Sequence, residues 1–265
     1  MPAYFDIHSH VSFPEYAADR AEVLARMREK DVWTITVGTN LETSRSAVGF
    51  ASKNVGIFAS IGLHPVDDAH SGIVSSFDEN DFAQLVINPK VVTIGECGLD
   101  YGRTDTVTSA EKVLQKKDFE KQIEFAVKYN KPLMLHVRSA HADCLDMLAS
   151  KKREYGERLR GNSHFFSGST EIEKKYLELG FSVSFTGVIT FTHDYDEAVK
   201  YAPFDMIMSE TDAPYVAPVP FRGKRNEPIY VEEVVKKMAQ IKGKTVTEMQ
   251  EIVVQNALRI FSISS

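Results

Sequence analysis

The sequence predicts a single-domain α/β protein built as a closed (β/α)₈ barrel of the TIM type. Three observations support this prediction: about eight short apolar runs rich in Val, Ile and Phe, longer amphipathic stretches between them, and a length of 265 residues. Short strands that alternate with helices are typical of βα units around a parallel sheet. About eight such units in ~250 residues match a closed barrel, whereas an open doubly wound sheet more often contains about five or six strands.

The predicted elements follow one another along the chain without a break that would separate domains. Strands are predicted at residues 3–7, 32–37, 55–61, 91–95, 132–136, 161–166, 181–185 and 206–209. Helical patterns are predicted at residues 17–30, 110–129, 171–179, 230–241 and 247–261. Asn130 and Gly180 tolerate a left-handed backbone and therefore fit helix C-caps. We find no internal repeat, low-complexity tract or Pro/Gly/Ser-rich linker, so one domain is the simpler interpretation.

Composition excludes some classes of function and leaves others open. The chain is 43% hydrophobic and 26% charged, and no run approaches the roughly 20 apolar residues that would span a membrane. The first residues lack a basic segment followed by a long apolar run, so we expect no signal peptide and a cytoplasmic location. Cys97 and Cys144 lack the spacing of a zinc knuckle and are interpreted as ordinary thiols. The net charge of −6 gives no global attraction to nucleic acid, although a basic loop or bound metal can invert the field locally.

A barrel predicts that functional groups lie at the carboxyl ends of its strands. The first predicted strand runs into His8 and His10, whose side chains point to the same side because they are two residues apart on an extended chain. Other strands end near Glu96, His136 and His164 and, in the last unit, near Asp212. Any one of these could be structural, but their recurrence at the same end of about five strands indicates a metal site. Imidazole and carboxylate together suit Zn, Mn, Fe, Co or Ni, and carboxylate with water also suits Mg.

With these motifs the chain resembles the TatD family of metal-dependent deoxyribonucleases and hydrolases, a branch of the amidohydrolase-like barrels. The resemblance covers essentially the whole chain and is carried by DIHSH at 6–10, GLHP at 62–65, GECGLDY at 95–101, HVR at 136–138, ETDAP at 210–214, KRNEP at 224–228 and NALRIF at 256–261. It implies two divalent ions, with Mg, Mn and Zn as candidates. Cys97 departs from the pattern, since such proteins often carry an apolar residue there.

The resemblance also implies roles for the ligands. One ion would be held by His8, His10 and Asp212, the second by His136 and His164, and Glu96 would bridge the two. Asp212 is expected to act as a ligand and as a proton acceptor for the attacking water.

Further residues are candidates for contacts with substrate. Arg138 lies two residues beyond His136 and could grip a phosphate in bidentate fashion. His64 could contact a phosphate or the leaving group, and Tyr101 could offer a hydroxyl or a ring for base stacking. A basic loop after the last strand could steer a polyanion, through Arg222, Lys224 and Arg225. Each of these residues could instead have a structural role, in packing, in a salt bridge or on the solvated surface.

The remaining polar residues are expected to act indirectly or structurally. Glu210 is expected to orient a ligand or a basic residue, and Asn256 to cap or tether the last helix. His70, His141 and His193 have no comparable position at a strand end, so they are interpreted as surface or structural residues.

Three functions stay open at this stage. The resemblance implies an exonuclease that attacks DNA, or another phosphodiester, from the 3′ end, whereas the spacing of the residues supports only hydrolysis. The first alternative is a barrel hydrolase of a small ester, amide or lactone, because this fold serves several chemistries. The second is a barrel that binds metal or a partner without turnover. No obligate protein partner is indicated.

Overall fold

The predicted barrel is confirmed by the structure, a computed structural model that describes residues 1–66, 76–102 and 107–264. Eight strands form one sheet in chain order, and each strand pairs in parallel with the next. The strands are β1 (Tyr4–Ser9), β2 (Val32–Val37), β3 (Ile57–Ile61), β4 (Val91–Asp100), β5 (Leu133–Arg138), β6 (Gly161–Ser163), β7 (Phe181–Phe185) and β8 (Ile207–Ser209). His70 lies outside the described residues.

Helices alternate with the strands and cover the outside of the sheet. They are α1 (Arg20–Glu29), α2 (Leu41–Ala51), α3 (Glu79–Val86), α4 (Ser109–Lys128), α5 (His141–Tyr155), α6 (Thr170–Glu178), α7 (Asp196–Tyr201), α8 (Val231–Lys242) and α9 (Val246–Ile260). Thr108 and Thr245 begin α4 and α9 with reciprocal capping boxes. Asn130 and Gly180 adopt positive φ angles of 54° and 80° just beyond α4 and α6, as their C-cap assignment predicts. Within the described ranges, no helix has the length and apolar character needed to cross a membrane.

Several strand ends differ from the prediction, and four of the differences concern the candidate site. β1 extends to Ser9, so His8 lies within it, and β6 ends at Ser163, so His164 lies just after the strand. β4 continues five residues past Gly95, so Glu96 lies inside a strand and not where it opens into a loop. β5 likewise continues past His136 to Arg138. The two strands keep pairing from Cys97 with Leu135 to Asp100 with Arg138, because the backbone ladder holds the polar residues in extended conformation.

The barrel closes between β1 and the segment that follows β8. The Asp212 amide donates to the His8 carbonyl at 2.9 Å, and the His10 amide donates to the Ala213 carbonyl at 2.7 Å. Below them the Asp6 carboxylate accepts hydrogen bonds from the backbone amide and the hydroxyl of Thr211, at 2.8 and 2.6 Å. The closure therefore runs through three residues that the sequence analysis assigned to metal.

Helix α9 is fixed beneath the end of the sheet by a buried amide. The Asn256 side chain donates to the carbonyls of Phe204 and Ile207 at 2.7 and 2.8 Å. It thus tethers the last helix to the start of β8, which agrees with the structural role expected from the sequence.

Glu173 on α6 is a buried carboxylate without a compensating hydrogen bond. The residue has no exposed surface, and neither carboxylate oxygen has a hydrogen-bond partner among the described residues. The ammonium group of Lys242 acts on it electrostatically, yet that group already donates to the carbonyls of Val199, Lys200 and Ala202. Burial raises the pKa of the Glu173 carboxyl to about 8.

Replacing Glu173 with Met is expected to stabilise the protein, most strongly at alkaline pH. Because the folded pKa lies above the ordinary value of 4.5, the folded state binds a proton more tightly, and stability falls as pH rises from that value to about 8. We expect Glu173→Met to raise the free energy of unfolding by roughly 2–4 kcal/mol at pH 8.5 and by less at pH 5. Urea unfolding at both pH values measures this, with exposed Glu178→Met on the same helix as the control. An equal gain at both pH values would contradict the assigned titration.

Candidate active site

A cleft of about 920 Å³ opens at the carboxyl ends of the strands. Its lining includes five of the six predicted metal ligands, namely His10, Glu96, His136, His164 and Asp212. His8, the sixth, lies fully buried beneath them. The barrel therefore brings all six residues together, from β1 and the residue after it, from β4 and β5, and from the segments that follow β6 and β8.

Glu96 lies at the centre of this cluster. Its Oε1 is 2.7 Å from His136 Nδ1 and 2.9 Å from His164 Nε2. Its Oε2 is 3.5 Å from His8 Nε2 and 3.9 Å from His10 Nε2. Burial would raise the pKa of Glu96, but the surrounding histidines hold it well below its ordinary value. One carboxylate thus faces both halves of the predicted centre.

His8, His10 and Asp212 form the first half. The Nε2 atoms of the two histidines face each other at 3.3 Å, and Asp212 Oδ1 lies 3.6 Å from each of them. The three ligand atoms fit within the separations that a single metal ion would require. Burial would raise the pKa of Asp212, but the hydrogen bond from His10 and the nearby histidine charges hold it below its ordinary value.

His164 and His8 share a buried carboxylate behind the cluster. Glu210 Oε2 is 3.2 Å from His164 Nδ1 and 3.8 Å from His8 Nδ1, and the latter atom has no hydrogen-bond partner among the described residues. Glu210 Oε1 accepts hydrogen bonds from the Ser184 hydroxyl and the Phe165 amide, so the carboxylate is held in place. This geometry agrees with the positioning role expected for Glu210.

Asp100 is a contact that the sequence analysis missed. Its Oδ2 is 3.0 Å from His136 Nε2, and its Oδ1 accepts a hydrogen bond from the Gly102 amide at 2.9 Å. Asp100 and Glu96 are four residues apart on β4, so their side chains lie on the same side of an extended strand. That signal is present in the sequence, but it was lost when the strand was ended at Gly95.

The donor set suits a divalent cation. A metal-binding histidine usually hydrogen-bonds through its second ring nitrogen, which fixes the ring. His10 Nδ1 contacts the Val37 carbonyl at 2.9 Å, His164 Nδ1 contacts Glu210, and His136 Nε2 contacts Asp100. In each case the other nitrogen faces the cluster. The orientation of these rings is the one that metal binding requires.

His64 reaches the same cluster from the segment after β3. Its Nε2 lies 3.6 Å from Glu96 Oε1, and it forms a third possible ligand group with Glu96 and His136. Its Nδ1 lies 3.1 and 3.0 Å from the nitrogen and oxygen of Val66, which orients the ring. Burial, reinforced by His136, lowers the pKa of His64 to about 4. His64 is thus placed at the cluster, and its contact with phosphate stays a prediction.

Of the other predicted substrate contacts, one lies in the cleft and the others lie outside its lining. Arg138 is exposed and lines the cleft. The Tyr101 hydroxyl instead donates to Asp143 at 2.8 Å, and Arg225 pairs with Asp19 at 2.6 Å. Neither residue belongs to the cleft lining, and a nearby carboxylate contacts the polar end of each. Their role toward substrate stays a prediction.

Of the basic loop, Lys224 and Arg222 are exposed to solvent. Neither belongs to the lining of the cleft. The structure therefore does not bring the loop's charges into the cleft itself.

Aromatic residues that the sequence analysis did not select also line the cleft. They are Phe13, Phe165, Tyr195 and Tyr215. All four lie in segments that follow a strand, which is where a barrel places groups that contact substrate. Their position after predicted strands is the feature of the sequence that could have identified them.

Fold and site together define a metal-dependent hydrolase built on a (β/α)₈ barrel, and comparison with known proteins supports this class. The family model described as "TatD related DNase" matches residues 5–262. The chain belongs to this family. It is 37% identical over 266 residues to YabD of Bacillus subtilis, described as an uncharacterized metal-dependent hydrolase, with 98% of this chain and 99% of YabD covered.

Two further proteins extend the comparison. YcfH of Escherichia coli, also described as an uncharacterized metal-dependent hydrolase, is 34% identical over 267 residues, with 98% of this chain and 96% of YcfH covered. The crystal structure of YjjV, a TatD homologue from Escherichia coli, has a TM-score of 0.86 at 24% identity and covers 99% of both chains. The structural likeness supports the fold, and the relatives support the class of hydrolase.

Proposed function

We propose that the protein is a deoxyribonuclease that removes nucleotides from the 3′ end of DNA and uses two divalent ions, with Mg, Mn and Zn as candidates. The proposal rests on one observation: five histidine and carboxylate side chains converge with Glu96 at the floor of a cleft. We further propose that the chain works in the cytoplasm as one domain, without an obligate protein partner.

The residues around the cluster have the chemistry that phosphodiester cleavage needs. Divalent ions held here would supply Lewis acidity toward a phosphoryl oxygen and the attacking water. Asp212, whose carboxylate is kept ionised, would accept the proton of that water. Arg138 reaches the cleft with a guanidinium that can donate two parallel hydrogen bonds to phosphate oxygens.

The size of the cleft admits a nucleotide, and its lining offers groups that nucleotides bind. At about 920 Å³ it is near the upper end of the usual range for small-molecule sites, roughly 300–1,000 Å³. The rings of Phe13, Tyr195 and Tyr215 line it, and so does Arg138. Aromatic faces and a guanidinium are the groups that hold bases and phosphates in proteins that bind single strands.

The test is cleavage of end-labelled single-stranded DNA by metal-stripped protein resupplied separately with Mg, Mn or Zn. We expect metal-dependent, stepwise shortening from the 3′ end. Generic phosphodiesters and small carboxyl esters are assayed in parallel. Strong ester hydrolysis without DNA cleavage would replace the proposal by a small-substrate hydrolase, and inertness toward every substrate despite bound metal would favour a binding protein.

A further inference from the structure

An exposed ring and a guanidinium form a fixed pair beside the cleft. The Arg222 guanidinium carbon lies 3.9 Å from the centroid of the Phe191 ring, and Phe191 is 42% exposed. Arg222 Nη1 also donates to the Ala217 carbonyl at 2.9 Å, which fixes the group over the ring. In the described parts of the chain, no carboxylate forms an ion pair with Arg222. Its positive charge therefore stays available to an anionic ligand.

The pair lies on the face of the barrel that carries the cleft. Phe191 follows β7 and Arg222 follows β8, so both belong to segments at the carboxyl ends of strands. The two segments are joined by a hydrogen bond of 2.9 Å from the Val219 amide to the Thr190 hydroxyl. Tyr195 and Tyr215, from the same two segments, line the cleft. The pair therefore lies on the same two segments that supply Tyr195 and Tyr215 to the cleft.

We propose that Phe191 and Arg222 form a subsite that stacks a nucleotide beyond the one that reacts, so that the pair lowers KM for oligonucleotides longer than a dinucleotide. This proposal rests on the proposed function. A free base can stack on the ring and guanidinium while the charge contacts the adjoining phosphate. In a duplex the base faces are already stacked on one another and cannot contact such a platform. A small ester held at Glu96 would not extend to it.

The chain offers a matched control on the opposite end of the barrel. Phe204 is 43% exposed, and the Lys244 ammonium lies 5.4 Å from the centroid of its ring. Phe204 precedes β8, so this pair belongs to the amino-terminal face, away from the cleft. Both sites combine an exposed phenylalanine with a cation, a guanidinium at Phe191 and the ammonium groups of Lys242 and Lys244 at Phe204, and they differ in position.

The experiment compares the metal-loaded wild-type protein with Phe191→Ala, Arg222→Ala, Arg222→Lys and the controls Phe204→Ala and Lys244→Ala. Substrates are oligothymidylates of two and eight nucleotides and bis(p-nitrophenyl) phosphate. We expect Phe191→Ala and Arg222→Ala to raise KM for the octanucleotide about tenfold with little change in kcat. KM for the dinucleotide and the small diester should stay unchanged, and both controls should match the wild type.

Arg222→Lys separates stacking from charge. Lysine keeps the charge but lacks the planar group, so we expect it to recover only part of the loss. Full recovery would show that charge alone acts and would overturn the stacking platform. The same KM as wild type for the octanucleotide in both alanine variants would overturn the subsite while leaving the nuclease intact. A comparable loss on all three substrates would also overturn it, as a structural effect. If the wild type cleaves neither oligonucleotide, both the proposed function and the proposed subsite are overturned.

Discussion

Glu96→Gln is expected to lower kcat/KM by about a thousandfold and to reduce the metal bound per chain. The amide keeps the size of the side chain but removes the negative charge that lies within 4 Å of His8, His10, His136 and His164. Glu210 also contacts one histidine of each half, His8 and His164, but it faces their Nδ1 atoms from behind the cluster and so does not take the place of Glu96 between the two halves.

Metal content after dialysis against a fixed free concentration of manganese, measured by atomic emission, gives a readout independent of activity. Glu178→Gln, an exposed carboxylate on α6, is the matched control. A Glu96→Gln protein that keeps its full metal content would argue against the bridging role. The role would be supported if the variant unfolds at a lower temperature than the wild type with metal and at the same temperature without it. In that case the wild type gains stability from ions that the variant no longer binds.

Asp212→Asn is expected to lower kcat by about 10²–10⁴-fold even at saturating metal, because the amide cannot accept a proton from the attacking water. Asn is the right replacement, since position 212 has a φ of 55° and Asn tolerates this left-handed conformation as well as Asp does. The backbone hydrogen bond from residue 212 to His8 can therefore persist. Asp212→Asn therefore removes the negative charge of the side chain and keeps the backbone conformation.

The measurement is kcat across a manganese titration, with exposed Asp146→Asn on α5 as the control. If higher manganese restores the full rate, Asp212 acts only as a ligand. Full activity at ordinary manganese would exclude both roles.

The barrel and its candidate metal ligands could largely be predicted from the sequence, because they depend on local periodicity. His8 and His10 share a side through the two-residue repeat of a strand, and the parallel topology brings the ends of distant strands together. The ends of the strands were harder to predict. β4 and β5 extend past Gly95 and His136, where their predicted strands end, because pairing between the two strands continues to Asp100 and Arg138.

The contacts that fix side chains could not be predicted from one sequence. Tyr101 donates to Asp143, 42 residues away, and Arg225 pairs with Asp19, 206 residues away. Each basic or phenolic group looked available for substrate until its partner was known. Glu210 was recognised as a positioning residue, but its shared contact with His164 and His8 depends on the packing of three strands.

The closure between β1 and the segment after β8 has a consequence for the stability of the whole barrel. The backbone bonds that join His8 to Asp212 and His10 to Ala213 lie directly behind the side chains of the candidate centre. Any opening motion that parts the two ends of the sheet also separates those ligands, so the barrel cannot open there and keep an ion. An ion held by His8, His10 and Asp212 would thus act as a clasp on the barrel, and its binding free energy would add to the resistance of the whole fold to unfolding.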